Sequence, residues 1–219
     1  GVTGDSIGNI YICDEQNYRI RRVSLDGIIS TFAGNGDGSS WDFSDEVKLA
    51  TESAIAGPGS PFFDPAETRL YFTTIDFLLL YVNMEDLMLY YLAGNSEYGP
   101  YYLEISDYIW GGCVDVSGNV YITVSETNKR VFYQLPADSS NATVFIGKLN
   151  ERGIRNEDIE GLTPTNASLY DPYGCDFSPD GTMYFTDYYN IYKIGSESGV
   201  VERVFGAGIN ETLNHLERR

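Results

Sequence analysis

The stretch Gly8-Asn9-Ile10-Tyr11-Ile12-Cys13-Asp14, continued by Asn17-Tyr18-Arg19-Ile20-Arg21-Arg22-Val23 and closed by Ile28-Ile29-Ser30-Thr31-Phe32-Ala33-Gly34, decides the fold because it recurs. A second copy runs from Leu70-Tyr71-Phe72-Thr73 to Tyr91-Leu92-Ala93-Gly94. A third runs from Gly118-Asn119-Val120-Tyr121-Ile122-Thr123 to Val144-Phe145-Ile146-Gly147. A fourth runs from Gly181-Thr182-Met183-Tyr184-Phe185-Thr186-Asp187 to Val204-Phe205-Gly206. The spacing from the aligned Tyr to the closing Gly is 23, 23, 26 and 22 residues. A supersecondary unit repeated at this period sets the architecture before any single residue is weighed.

Each unit reads as four short strands. In the first unit they fall near residues 1–5, 9–13, 19–24 and 28–32, rich in β-branched and aromatic residues and alternating in polarity. Asp5-Ser6-Ile7-Gly8-Asn9 is a tight turn, with counterparts at Asp115-Val116-Ser117-Gly118-Asn119 and Ser178-Pro179-Asp180-Gly181. Gly supplies positive φ there, and Asp or Ser bonds its own backbone. Repeated four-stranded sheets with no helix between strands predict an all-β fold, a β-propeller of four blades. The blades fall near 1–34, 59–94, 111–147 and 174–208, leaving 209–219 as a tail. Tyr11, Tyr71, Tyr121 and Tyr184 are expected to form a packing column between blades. Of the three inserts between blades, the first and third share a polar, Gly-rich start, a short helical stretch and a Pro. The second carries Tyr98, Tyr101, Tyr102, Tyr108 and Trp110. Long inserts often carry function.

The chain has 219 residues and a net charge of −18. That field repels phosphate backbones and anionic lipid, so no nucleic-acid partner is expected. No apolar run approaches the roughly 20 residues needed to cross a bilayer as a helix, so no membrane insertion is expected. The sequence begins inside the first repeat and is read as a processed or partial chain. Three cysteines are an odd count. They read as small buried apolar residues. A Cys113–Cys175 bridge requires their Cα atoms within about 7 Å.

These residues resemble the NHL-repeat family of β-propellers in its long-linker form. Repeat one carries the resemblance most fully, from Gly1-Val2-Thr3-Gly4-Asp5 through Ala33-Gly34-Asn35-Gly36. Repeat two keeps only its strand pattern and final Ala-Gly. The resemblance implies a disc whose axis is lined by the first strand of each blade, with protein or ligand binding on one face. It also implies about six blades, where this chain supplies four. Either four blades close alone, or the ring is open, or blades are missing. An open ring exposes surfaces that tend to be covered.

Catalytic signatures are sparse. Enzymes in this family include a zinc lyase, but a His-based zinc centre needs several ligands, and His215 is the only histidine. No Gly-x-Ser-x-Gly elbow is present. Asn35, Asp37, Ser39 and Glu46 match calcium-loop positions 1, 3, 5 and 12, without the Gly at position 6 or flanking helices. Asp176 is the acidic residue nominated for the axis. Arg19 and Arg21 share one strand face and Arg22 the other, which suits interblade ion pairs with Asp14 or neighbouring carboxylates. N-linked glycans are expected on the sequons at Asn141, Asn166 and Asn210, all in loops.

The strands around Leu78, Leu80 and Leu87–Tyr91 are more apolar than an outer blade needs. Leu78 and Leu80, with the aromatic residues of the second insert, are therefore expected to meet another domain or chain. The function expected is a non-catalytic, extracellular or cell-surface propeller, a protein-interaction or structural module of a larger assembly or filament. It would contact protein partners or further copies of itself. The alternative is a calcium-dependent, lactonase-like small-molecule hydrolase.

Overall fold

The computed structural model describes residues 1–40, 47–94, 100–103, 109–126, 129–138, 141–151, 153, 158–195 and 197–206. Glu46, Tyr98, Tyr108, Asn210, His215 and the 209–219 tail lie outside them. The chain forms four consecutive antiparallel sheets, each with its strands in chain order. Sheet one contains β1 (Val2–Gly4), β2 (Ile10–Asp14), β3 (Arg19–Val23) and β4 (Ile29–Ala33). Sheet two contains β5 (Pro58–Phe63), β6 (Arg69–Thr74), β7 (Leu78–Asn83) and β8 (Leu89–Gly94). A fifth strand, β9 (Tyr101–Tyr102), pairs in parallel with β8. Sheet three contains β10 (Ile109–Val114), β11 (Val120–Ser125), β12 (Arg130–Leu135) and β13 (Thr143–Ile146). Sheet four contains β14 (Pro172–Phe177), β15 (Met183–Asp187), β16 (Asn190–Ile194) and β17 (Val201–Phe205). Among the described residues, helix is confined to three single turns of 3-10 type. The expected all-β, four-blade architecture holds, with β9 as an addition that repeat matching did not foresee.

Local chemistry explains the repeat. The Asp5 carboxylate accepts hydrogen bonds from the Gly8 and Asn9 amides, the Asn9 side chain and the Tyr11 hydroxyl. Gly8 has φ of 102°. Asp115 repeats this arrangement with Asn119 and Tyr121. The turn therefore clamps the start of β2 and β11 and fixes the Tyr in place. Each repeat closes on a Gly with positive φ: Gly34, Gly94, Gly147 and Gly206. A Cβ at Gly34 would sit 2.2 Å from the Tyr18 carbonyl oxygen, and at Gly94 2.5 Å from that of Phe77. No other residue fits there without moving backbone. All four sheets also shift register between the third and fourth strands, at Ile20/Arg21, Leu79/Leu80, Phe132/Tyr133 and Ile191/Tyr192. Such bulges bend and twist the outer edge of a sheet.

The core is three apolar layers, each between two consecutive sheets. Tyr11, Ile20 and Ala33 of sheet one pack with Leu70, Phe72, Leu80 and Leu89 of sheet two. Tyr71, Leu79 and Ala93 pack with Val120, Ile122 and Val131. Tyr121, Phe132 and Ile146 pack with Met183, Phe185 and Tyr192. The first and third inserts do share a shape. Their 3-10 turns, Ala50–Glu52 and Pro164–Asn166, accept the Gly34 and Gly147 amides, and Ile55 and Leu169 enter the adjoining layers.

Two expectations are corrected here. Leu78 and Leu80 are buried in the layer between sheets one and two, so their cover is sheet one of the same chain. Alternation shows that a face is apolar but not which sheet covers it. Arg21 does pair with Asp14, at 3.2 Å, but within sheet one. Arg22 instead donates to the Asn9 side chain.

Candidate functional site

Strands β1, β5, β10 and β14, with Tyr184, Phe185 and Thr186 of β15 and Ile191 of β16, line a concavity of about 510 Å3. Val2, Phe62, Trp110, Tyr173, Asp176 and Tyr184 contribute to its wall. Trp110 meets Tyr173 edge-to-face at 5.8 Å. The Tyr173 hydroxyl donates to Asp171 at 2.7 Å, which pushes the phenol above its usual range. Asp171 also accepts from Arg130 and Ser125 of sheet three. Burial opposes the Asp171 charge, yet the bonds from Tyr173, Arg130 and Ser125 prevail and hold the carboxyl low. Asp176 is in the wall of this concavity, with one oxygen accepting the Phe177 amide.

Cys113 and Cys175 form a disulfide, with Cα atoms 5.6 Å apart. This corrects the reading of three unbridged cysteines. Only Cys13 is a buried free thiol, and burial pushes it up to about 12. The bridge ties β10 to β14 beside the axial concavity.

The calcium-loop candidates are engaged locally. Asn35 accepts the Asp37 amide, and Asp37 accepts both the amide and hydroxyl of Ser39. Among the described residues no three His, Cys, Asp or Glu side chains are grouped to hold a metal ion. Asn141 and Asn166 are both exposed. Of the second insert, Tyr101 is buried and its hydroxyl donates to the Pro136 carbonyl, bracing sheet two against sheet three. Tyr102 and Trp110 are exposed in part. Trp110 thus belongs to the axis, away from Tyr102 on the outer edge of sheet two.

The most telling surface was not singled out from sequence. Cross-strand registers make Tyr184, Ile191 and Phe205 of sheet four equivalent to Tyr11, Ile20 and Ala33 of sheet one, Tyr71, Leu79 and Ala93 of sheet two, and Tyr121, Phe132 and Ile146 of sheet three. Those nine residues are at most 4% exposed, whereas Tyr184, Ile191 and Phe205 are 37%, 37% and 70% exposed. On the opposite end, Ile10 and Ile12 hold the positions of Leu70 and Phe72, Val120 and Ile122, and Met183 and Phe185. Those six are buried, but Ile10, Ile12 and the neighbouring Ile29 are 45%, 37% and 63% exposed. Among the described residues, these two faces of sheets four and one are exposed. The expected tyrosine column is buried at three positions and exposed at Tyr184 because no described sheet follows it. Aligning the repeats by burial role, beyond motif matching, would have found these residues.

No protein-family model matches the chain, and no curated protein matches it. Solved structures do. A catalytically inactive virginiamycin B lyase from Staphylococcus aureus, crystallised with quinupristin, superposes with a TM-score of 0.55 at 14% identity over 95% of this chain and 56% of its own. A predicted gluconolactonase gives 0.57 at 13% identity over 95% and 63%. TolB from Acinetobacter baumannii gives 0.57 at 16% identity over 95% and 44%. The chain spans less than two thirds of each of these structures. At such identities the likeness establishes the fold, a β-propeller whose four sheets form an open arc.

Proposed function

We propose that this chain is a non-catalytic protein-interaction or structural propeller module, with its open side as the contact surface. One observation carries the reading: Tyr184, Ile191 and Phe205 are exposed where their nine equivalents are buried. A contiguous apolar face of this kind is stabilised by removal from water, at roughly 25 cal/mol per Å2. A secreted or cell-surface setting accords with the Cys113–Cys175 bridge and with the exposed sequons at Asn141 and Asn166. The test is the native mass, by light scattering, of material from its source before and after deglycosylation. A mass well above 24.4 kDa that falls in part on deglycosylation is expected. A bare single-chain mass with no glycan would overturn the reading.

The axial concavity favours a second reading, a small-molecule propeller that includes the calcium-dependent, lactonase-like hydrolase. Trp110, Tyr173 and Asp176 supply two aromatic faces and a carboxylate. Lactone hydrolysis that disappears with a chelator and with Asp176→Asn would favour it over the first. Activity absent with and without added calcium would dismiss it.

A further inference from the structure

We propose that a second, smaller cavity, framed by sheets one, two and three, binds a small organic ammonium ion that carries a hydroxyl group. Its volume is about 310 Å3, at the small end of ligand sites. The wall includes Glu15 from the 3-10 turn after β2, Ser60 and Thr73 of sheet two, Ile75 from the turn after β6, and Ile109 and Trp110 of β10. Ser60 and Trp110 also border the larger concavity, but no residue from the exposed faces of sheets one and four lines this cavity. The site is separate from the surface and the concavity invoked above, and its occupancy stands or falls apart from them.

The local backbone builds the cavity. Strand β5 bulges between Gly59 and Phe62, where its register against β6 shifts. Ser60 sits in that bulge with φ of 40°, and its hydroxyl donates to the Trp110 carbonyl. That bond holds the start of β10 against β5 and fixes the backbone that carries the indole. Gly59 pairs with Thr73 across the strands. A Cβ at Gly59 would lie 3.3 Å from the Thr73 hydroxyl oxygen, so the glycine keeps that oxygen open to the cavity. Thr73 is 4% exposed, and its hydroxyl has no hydrogen-bond partner among the described residues. The equivalent Thr123 is sealed, and the equivalent Thr186 is bonded to the Gly174 backbone. A buried hydroxyl without a protein partner gains from a ligand that brings one.

Charge selects the rest of the ligand. Glu15 is the one charged residue in the wall, and its carboxylate forms no ion pair and no hydrogen bond among the described residues. A cation balances it. Indole offers the strongest cation–π face, and Trp110 is exposed in part. Ile75 and Ile109 present apolar surface to alkyl groups on the nitrogen, which a hydrated metal ion cannot use. The net charge of −18 draws cations to the chain and repels anions. The cationic nitrogen is thus assigned to Glu15 and Trp110, and the hydroxyl to Thr73.

Isothermal titration calorimetry of the whole chain tests the site with choline, tetramethylammonium and dimethylbutanol, the uncharged carbon isostere of choline. Choline is expected to bind at least about fivefold more tightly than the isostere, and added salt narrows the gap. Glu15→Gln is expected to weaken choline about two- to fivefold. Glu85→Gln removes the same charge outside the wall and leaves choline binding unchanged. Thr73→Val weakens choline and spares tetramethylammonium. Circular dichroism checks the folding of each variant. Glu15 is exposed and unpartnered, so Glu15→Gln keeps the test decisive if Thr73→Val fails to fold. No choline binding, equal affinity for choline and its isostere, equal effects of Glu15→Gln and Glu85→Gln, or equal loss of both ammonium ions in Thr73→Val overturns the proposal. Binding of glucose without choline overturns it in favour of a neutral saccharide on Trp110.

Discussion

Cys113 and Cys175 lie 5.6 Å apart at their Cα atoms and join the innermost strands of sheets three and four. The bond spans a sequence separation of 62 residues. Chain-entropy reasoning assigns such a loop on the order of 4 kcal/mol. Cys113→Ser with Cys175→Ser, or reduction, is expected to lower the thermal midpoint and to free sheet four first. Hydrogen exchange resolved by sheet, with and without reductant, checks this.

The turn clamps make a pH prediction. Burial works against the Asp5 charge, but hydrogen bonds from Asn9, Tyr11 and Gly8 prevail and hold the carboxyl below its ordinary 3.8. A depressed folded value stabilises the fold above the unfolded value, and that stabilisation is lost as pH falls through the folded one. Burial, then the Asp5 charge and hydrogen bond, push the Tyr11 phenol up to about 12. That stabilisation is complete below pH 10 and is lost as pH rises through about 12. Asp5→Asn should flatten the thermal midpoint between pH 5 and about 3 relative to wild type.

Arg130 and Asp171 couple sheet three to the start of sheet four. Arg130 is largely buried, and its Nε has no hydrogen-bond partner. Asp171→Ala removes the carboxylate that pairs with this cation, leaving it the Ser125 hydroxyl and the Tyr170 ring, and is expected to cost about 2–4 kcal/mol, below the fully buried case because Asp171 is partly exposed. Arg130→Met with Asp171→Leu should recover much of the loss. Denaturant unfolding of Asp171→Ala and of the double variant tests the pair.

Phe132 and Ile191 occupy the same repeat position, one inside a layer and one at the open end. Phe132→Ala should cost about 3–5 kcal/mol. Ile191→Ala should cost under about 1 kcal/mol, because Ile191 is already exposed in part. Denaturant unfolding of the two variants checks this.

Sequence periodicity alone determined the four repeated sheets, the positions of their four antiparallel strands and the turn chemistry. Asp5, Gly8 and Tyr11, and the closing glycines, act through bonds within a few residues or across one hairpin. Such short-range geometry leaves a fixed spacing in the chain. The shared shape of the first and third inserts was legible for the same reason. Tertiary structure decided everything that depends on which sheet lies against which. Leu78 and Leu80 look apolar enough for an outside partner, yet sheet one covers them. Tyr184 matches its three counterparts in motif, yet nothing described follows it. Cys113 and Cys175 become a bridge only when adjacent innermost strands bring distant residues together. Side-chain alternation encodes that a face must be buried, but the neighbour that buries it is set by the packing of whole sheets around the axis.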